Sequence, residues 1–324
     1  MNGKITIIGA GSIGTALGNV LARKVLYDVS LLSIEKDVVE SINSTRYNQK
    51  YFSNIKLSKH LKATTDVNIL KTTEIVFLAI PSNVTVDYVI ENKDYLKNDA
   101  ILLNLAKGFS KDMKTITESL EGKVSNPVCS FKGPTFAREL INRIPTAFTV
   151  GSNDESHYDL FTEIFSDTNI SIDFSTDVIG VEILSILKNI YAIATGIVDA
   201  HFDAPNLRFL FLTKAFNEMK NILVRYGGKE ETMFKYCGFG DFTLTALNDM
   251  SRNRTLGLLI GKGFFTEDIS DKVVLEGKIA VSVFCNDISK TNKLNGNYPI
   301  IAELYKVFNE DYDISNFVNN VLKR

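Results

Sequence analysis

Three glycines near the start of the chain constrain its fold more than any other feature. They follow a short apolar strand pattern, Lys4–Ile8, as Gly9, Gly11 and Gly14, and a helical pattern continues to about Arg23. In this context the first glycine permits a tight turn, the second lets backbone approach a pyrophosphate, and the third lets helix pack on strand. The motif therefore predicts a dinucleotide site, with an unliganded glycine turn as the alternative.

A carboxylate follows the second strand pattern. That pattern covers residues 28–33, and Glu35 comes after it, at the position where an acidic side chain accepts hydrogen bonds from the ribose of NAD. Lys36 stands beside it and could instead favour the 2'-phosphate of NADP, and Glu35 could also be a solvated loop residue. The pair predicts a nicotinamide cofactor and favours NAD over NADP.

Apolar strand patterns alternate with helical segments through the first half of the chain. The further strand patterns cover residues 74–80, 100–105, 127–131, 146–150 and 170–174. This alternation predicts an α/β fold with a largely parallel, Rossmann-type doubly wound sheet. Helical patterns take over afterwards, so we predict a dinucleotide-binding domain over residues 1–176 and an all-helical C-terminal domain over residues 177–324.

Short turns of small or charged residues follow three of these strand patterns. They are Pro81-Ser82-Asn83, Lys107-Gly108 and Gly133-Pro134-Thr135-Phe136-Ala137. Ligands of doubly wound sheets bind beyond the carboxyl ends of the strands. Each turn alone is more often an ordinary connection, but three on one rim with a dinucleotide motif predict a substrate pocket.

Residues 178–200 form an almost wholly apolar run that is long enough to span a bilayer. Glu182, Lys188 and Asp199 lie inside it and argue against a membrane span, because ionised groups in hydrocarbon are costly. We predict a buried helix capped by Thr176 or Asp177. Lys188 would then be paired or chemically active, or would snorkel at the exposed edge of the helix.

Composition excludes several classes of partner. The chain has 36 basic and 38 acidic residues and a net charge of -2, with no basic block to attract nucleic acid or a membrane, so small-molecule partners are predicted. Three widely spaced cysteines and an N-terminus without a signal-peptide pattern predict a reducing cytoplasm. The three histidines are scattered, so no metal site is predicted.

Ser251 is followed by Arg252 and Asn253 at the start of an apolar helical stretch. The serine is a typical N-cap, and the next two residues would lie in the first turn. Free N–H groups, the helix dipole and a guanidinium together suit a phosphate. A capped helix with solvated arginines is the alternative.

Several motifs succeed one another in a fixed order along nearly the whole chain. After the glycines they are Ile80-Pro81-Ser82, Lys107-Gly108, Gly133 to Ala137, Leu187-Lys188-Asn189, Gly240-Asp241 with Thr245, Ser251 to Arg254, and Glu276-Gly277. In this order the chain resembles the bacterial NAD(P)-dependent glycerol-3-phosphate dehydrogenases. Related 3-hydroxyacid dehydrogenases usually place an asparagine four residues after the lysine, where this chain has Ala192, so they are disfavoured.

The resemblance implies a reaction and the residues that carry it. Lys188 would be the general acid-base at the oxygen that is a ketone in dihydroxyacetone phosphate and a hydroxyl in sn-glycerol 3-phosphate, while a hydride passes to or from nicotinamide. Lys107 would hold the same oxygens, and Asp241 with Thr245 would orient Lys188. An alkoxide forming in a water-poor cleft needs such a close cation that can yield its proton.

The resemblance also implies binding residues. For the substrate they are Lys107, Gly133, Thr135, Lys188, Asp241, Ser251, Arg252 and Asn253. For the cofactor they are Gly9, Gly11, Ser12, Ile13, Gly14, Glu35, Pro81, Lys107, Ala137, Arg252, Val274 and Glu276. It further implies a cytoplasmic homodimer that supplies glycerol 3-phosphate for phospholipid synthesis.

The chain departs from the family pattern beside the proposed site. Leu184 and Ser185 stand where the family usually has two small residues, and the loop at 200–206 lacks the usual glycines. These changes leave another polyol or keto phosphate open as substrate. A non-catalytic nicotinamide-binding sensor is the other alternative, which the presence of Lys107, Lys188, Asp241 and Arg252 together disfavours.

Overall fold

Eight strands form a single sheet in the computed structural model, which describes residues 3–264, 271–290 and 297–322, with side chains from residue 276 onward in the segment that starts at 271. The order is β3-β2-β1-β4-β5-β6-β7-β8, and only β6 and β7 pair antiparallel. The strands are β1 Lys4–Ile8, β2 Asp28–Leu32, β3 Lys62–Thr64, β4 Ile75–Leu78, β5 Ile101–Asn104, β6 Val128–Lys132, β7 Thr146–Gly151 and β8 Ile170–Ser175.

Helices and irregular segments connect these strands, and helices dominate the described chain after β8. The α-helices are α1 Ser12–Arg23, α2 Lys36–Thr45, α3 Ser82–Glu91, α4 Ile116–Leu120, α5 Ala137–Ile141, α6 Ser156–Phe165, α7 Val178–His201, α8 Pro205–Arg225, α9 Asp241–Leu247, α10 Arg252–Gly261, α11 Asp271–Ser289, α12 Pro299–Asn309 and α13 Ser315–Leu322. Short 3-10 helices cover Val67–Thr72, Lys93–Tyr95 and Glu230–Phe234, and a π-helix covers Tyr236–Gly240.

The sheet confirms the predicted Rossmann-type architecture with a helical C-terminal part. Strand β1 lies between β2 and β4, so the order of strands reverses beside it, and ligands of such sheets bind at this reversal. Strand β3 was not predicted, because three residues are too short to show an alternating pattern.

The chain divides into two compact units, residues 1–182 and 183–324. In the first unit, stacked aromatic rings help to fill the space against the sheet, with the ring centroids of Phe131 and Phe148 only 4.1 Å apart. The compact units divide at residues 182 and 183, within α7. The domain boundary that we predict at residues 176 and 177 stays a prediction.

Helix α7 confirms the prediction of a buried helix. Among the described residues it is the one helix long and apolar enough to cross a membrane, but 89% of its most apolar window is buried within the protein. Of the two predicted caps, Asp177 serves this helix, since its Oδ1 accepts a hydrogen bond from the Gly180 N–H at 2.9 Å.

Helices α7 and α10 approach each other backbone to backbone. A Cβ atom added at Gly257 would lie 2.0 Å from the carbonyl oxygen of Ile193, and one added at Gly196 would lie 2.3 Å from that of Arg254. Any side chain larger than hydrogen would therefore push the two helices apart. Glycine at both positions brings α7 and α10 into direct contact.

A buried glutamate, Glu218 of α8, caps the start of α12. It accepts hydrogen bonds from the N–H groups of Ile300 at 3.0 Å and Ile301 at 2.8 Å, and from the Tyr191 hydroxyl at 2.8 Å. Burial raises the pKa of Glu218 from 4.5 to about 7, although these donors and the charge of Lys214 pull it down.

Glu218 should make the helical unit less stable as the pH rises. The folded chain keeps this proton to a higher pH than the unfolded chain does, so the stabilisation present below pH 4.5 is lost as the pH passes through about 7. We expect a loss of about 3 kcal/mol or less, measured by urea unfolding followed by circular dichroism between pH 5 and 8. A Glu218→Gln variant should lack this component, and equal pH dependence in both proteins would contradict the assignment.

Candidate active site

The three glycines of the first turn each have a structural reason. Gly9 has φ 106°, a conformation that side chains rarely adopt, and a Cβ at Gly14 would lie 2.0 Å from the Gly9 carbonyl oxygen. In the part of the chain that the structure describes, a Cβ at Gly11 would meet no atom within 4 Å apart from those of its chain neighbours, so the backbone there faces open space. Helix α1 begins at Ser12, next to that space, and its first N–H groups suit an anion. A dinucleotide pyrophosphate fits this arrangement.

Glu35 occupies the N-cap position of α2, just after β2, and its side chain makes no capping hydrogen bond to the helix. Its carboxylate forms an ion pair with Lys50, and Lys36 is the first residue of the helix. The part played by Lys50 could not be predicted from the sequence, because 15 positions separate it from Glu35 and only folding brings the two side chains together. The Glu35 carboxylate is thus paired with one lysine, while a second lysine adjoins it in the sequence.

Lys107 and Gly133 lie together although 26 residues separate them. The Lys107 Nζ donates a hydrogen bond to the Gly133 carbonyl oxygen at 3.2 Å. A Cβ at Gly133 would lie 2.2 Å from the Ala147 carbonyl oxygen, so this position requires glycine. The Thr135 hydroxyl lies 2.6 Å from that of Thr146. Two of the predicted substrate contacts, Lys107 and Gly133, are thus joined by a direct hydrogen bond.

Two of the implied cofactor residues begin helices that follow strands. Pro81 immediately precedes α3 after β4, and Ala137 is the first residue of α5 after β6. The turn after β5 packs closely on the first of these helices, since a Cβ at Gly108 would lie 2.5 Å from the Ser82 hydroxyl oxygen. These positions match the predicted rim of strand ends.

Lys188 is buried in the middle of α7, with 4% of its surface exposed. Its Nζ donates hydrogen bonds to the carboxylate of Asp241 and, at 3.1 Å, to the Thr245 hydroxyl. Asp241 and Thr245 stand one turn apart on α9, and the threonine also bonds the Asp241 carbonyl oxygen at 2.6 Å. The snorkelling alternative is therefore wrong, and a buried, oriented ammonium is available for acid-base chemistry.

Ser251 caps α10 as predicted, its hydroxyl accepting a hydrogen bond from the Arg254 N–H at 3.3 Å. The helix begins at Arg252, whose side chain is exposed, and Asn253 is half-buried. Free N–H groups, a guanidinium and an amide therefore lie in one helical turn, which suits a phosphate.

The second arginine of this motif has a different environment. Arg254 is buried and forms ion pairs with Asp199 at 2.9 Å and Asp249 at 2.6 Å, and Asp199 also pairs with Arg208 at 2.7 Å. Sequence reasoning did not assign this cluster. The charge of Asp199 inside an apolar run was the signal, because a buried carboxylate needs a partner.

Four further residues that the sequence singles out lie on α7 and α11. Leu184 and Ser185 are both buried in α7. Glu276 is exposed on α11, and the side chain of Val274 lies outside the described residues. In the part of the chain that the structure describes, no group of three His, Cys, Asp or Glu side chains could hold a metal ion.

Comparisons with known proteins agree along the whole chain. Residues 4–158 match the model of the NAD-dependent glycerol-3-phosphate dehydrogenase N-terminus, and residues 177–319 match that of its C-terminus. The glycerol-3-phosphate dehydrogenase [NAD(P)+] of Clostridium acetobutylicum is 33% identical over 327 residues, which cover 99% of this chain and 97% of that protein. That of Leptospira biflexa is 32% identical over 329 residues, covering 99% and 98%.

Solved structures show the same similarity. The crystal structure of glycerol-3-phosphate dehydrogenase from Coxiella burnetii has a TM-score of 0.86 and 28% identity, covering 100% of this chain and 99% of that one. The Plasmodium falciparum glycerol-3-phosphate dehydrogenase has a TM-score of 0.88 at 21% identity, covering 98% and 95%, and this likeness concerns the fold alone.

Proposed function

Because the chain belongs to the NAD-dependent glycerol-3-phosphate dehydrogenase family, we propose that it interconverts dihydroxyacetone phosphate and sn-glycerol 3-phosphate. Membership confirms the resemblance that the motifs indicate, and it makes the protein an NAD(P)-dependent oxidoreductase. The observation that carries the proposed chemistry is the buried group of Lys188, Asp241 and Thr245.

Lys188 is the general acid-base. In reduction its ammonium donates a proton to the ketone oxygen, and in oxidation the neutral amine takes the proton from the hydroxyl. The nicotinamide, when bound, supplies or accepts the hydride. Asp241 and Thr245 restrict the orientation of Lys188 through their hydrogen bonds, so little reorganisation is needed when charge develops on the oxygen.

We assign three further substrate contacts to Lys107, Gly133 and Thr135. Lys107 adds a second cation for the substrate oxygens, and its hydrogen bond to the Gly133 carbonyl supports the orientation of its side chain. Gly133 and Thr135 contact the substrate. A cation that binds the developing alkoxide stabilises the transition state more than the neutral ketone, which raises kcat as well as affinity.

The start of α10 binds the substrate phosphate. Arg252 supplies a planar pair of donors, Asn253 an amide, and Ser251 holds the first turn in place. The burial and ion pairs of Arg254 support this division, since they commit that arginine to the interior and leave the exposed Arg252 for a ligand.

The cofactor binds at the glycine turn and the strand ends beside it. Ser12, Ile13 and the three glycines face its pyrophosphate, and Glu35 faces its adenosine ribose. Pro81, Lys107, Ala137, Arg252, Val274 and Glu276 complete the proposed set.

We expect NADH to support a higher kcat/KM than NADPH. Glu35 can accept hydrogen bonds from ribose hydroxyls and repels a 2'-phosphate. Glu35→Gln should narrow the difference, because the amide removes the repulsion and releases Lys50 from its ion pair. Glu40→Gln, at an exposed glutamate of the same helix, is the matched control and should leave the ratio unchanged. Equal or better kinetics of the wild type with NADPH would show that Lys36 or Lys50 sets the preference.

The proposed function is tested by purified protein with NADH or NADPH and a panel of ketones, followed at the nicotinamide absorbance. The panel is dihydroxyacetone phosphate, dihydroxyacetone and other keto phosphates. Fastest turnover of dihydroxyacetone phosphate supports the proposal. Preference for another keto phosphate would identify a related polyol phosphate dehydrogenase, and binding of NADH without turnover would identify a sensor.

The wider setting follows from the reaction. We propose a homodimer in the cytoplasm that supplies glycerol 3-phosphate for phospholipid synthesis. Size-exclusion chromatography with light scattering measures the oligomeric state directly.

A further inference from the structure

A fully buried lysine stands one residue before Gly133. Lysine is almost never fully buried unless it is paired, yet Lys132, the last residue of β6, has 0% of its surface exposed. Its Nζ donates hydrogen bonds to the carbonyl oxygens of Asn104 at 2.8 Å and Ala106 at 2.5 Å. Both carbonyls belong to the turn that leaves β5 and leads into Lys107. One ammonium group therefore binds this turn at two points.

The carboxylate of Glu182 balances the charge of this lysine. Its Oε1 lies 3.7 Å from the Lys132 Nζ and accepts a hydrogen bond from the Asn104 side-chain amide. Its Oε2 accepts from the N–H and the hydroxyl of Thr117, at 3.0 and 2.8 Å. The Asn104 Oδ1 in turn accepts from the Ala106 N–H at 2.9 Å. The turn is thus held through its carbonyls and through an N–H group.

Lys132 is linked both to the backbone just before Lys107 and to the residue that binds the Lys107 ammonium. Ala106, whose carbonyl it binds, is the residue before Lys107, so the backbone from which that side chain starts is held in place. Gly133, whose carbonyl accepts the Lys107 ammonium at 3.2 Å, is the residue after Lys132. A displacement of Lys132 would therefore change the origin and the end point of Lys107 together.

Stability alone does not account for a lysine here. Replacing a buried ion pair with apolar side chains of similar volume is often neutral or stabilising. An apolar side chain, however, cannot donate to two carbonyls while facing a carboxylate, as an ammonium with three donors can. Resting on the role proposed for Lys107, we infer that Lys132 is a positioning residue, which holds the Asn104–Lys107 turn so that the Lys107 ammonium meets the substrate oxygens.

The test is a double-mutant cycle of Lys132→Met and Lys107→Met, with dihydroxyacetone phosphate and NADH. In the wild-type background we expect Lys132→Met to lower kcat/KM about 10- to 100-fold, because small displacements of a positioned group have large effects on rate. In the Lys107→Met background it should cause little further loss, because the residue through which it acts is gone. A lysine needed only for stability would produce the same loss in both backgrounds.

Controls separate the inference from its premise. Lys24→Met also removes a lysine bonded to a backbone carbonyl, that of Ile164, and should leave kcat/KM unchanged. If Lys132→Met does not fold, Lys132→Met combined with Glu182→Gln leaves no unpaired buried charge and should give the same cycle. Additive losses, or no loss, would overturn the inference while the proposed function stands. Wild-type kcat/KM in Lys107→Met would instead refute the role of Lys107, and with it the inference.

Discussion

Arg252→Ala is expected to lower kcat/KM for dihydroxyacetone phosphate by roughly two to four powers of ten, mainly through a higher KM. A desolvated pair of arginine and phosphate contributes far more than a solvated arginine, and phosphate binding also positions the carbonyl for hydride transfer. Steady-state kinetics with the phosphorylated and unphosphorylated ketone measure the effect, because only the phosphorylated substrate should lose the interaction. Arg252→Lys should recover part of the activity, since a point charge lacks the planar pair of donors.

Two controls complete this experiment. Arg225→Ala removes an arginine that pairs with Asp287, and it should leave kcat/KM within a few-fold because the proposed substrate and cofactor contacts do not include it. The dissociation constant of NADH must be measured for Arg252→Ala, since the family resemblance also places Arg252 near the cofactor. A loss in kcat/KM of only a few-fold, or wild-type turnover of dihydroxyacetone equal to that of its phosphate, would favour a merely capped helix.

Lys188→Met should lower kcat by at least about a hundredfold, a typical contribution of a general acid. The affinity for NADH should change little, because the proposed pyrophosphate and ribose contacts lie in the first unit. Stopped-flow kinetics give kcat and fluorescence titration gives the dissociation constant. A variant with kcat close to that of the wild type would remove Lys188 from the mechanism.

The single variant leaves Asp241 as a buried carboxylate without its cation, and such a loss destabilises a protein by about 3–5 kcal/mol. Lys188→Met combined with Asp241→Asn removes both charges and should fold better while remaining equally inactive. Lys220→Met, which removes a half-buried lysine of α8 that pairs with Glu230, is the control and should keep full activity. Together they distinguish a lost proton donor from a lost fold.

The features that could be predicted from the sequence are local ones. A strand followed by Gly9, Gly11 and Gly14 indicates its turn within a few residues, and Ser251 before an apolar stretch indicates its own cap. The buried helix α7 could be predicted from the length of its apolar run. Each pattern reflects interactions between residues that are close in the chain.

What could not be predicted depends on residues far apart in the chain. Nothing in the Ser251–Arg254 motif distinguishes Arg252 from Arg254. Only the ion pair with Asp199 shows that Arg254 is the buried one. The antiparallel pairing of β6 and β7 and the ion pair of Lys50 with Glu35 likewise arise from tertiary structure. In the sequence Lys132 is an ordinary lysine at the end of a strand, and only its carbonyl partners distinguish it.

The backbone contact between α7 and α10 fixes the distance between these two helices. The two helices carry Lys188 and Arg252, and no side chain at Gly196 or Gly257 cushions their approach. Main-chain atoms therefore set the spacing between the helices that carry the proposed proton donor and the proposed phosphate-binding arginine. If Lys188 and Arg252 bind the two ends of the substrate as we propose, a longer carbon chain would require displacement of a helix rather than truncation of a side chain.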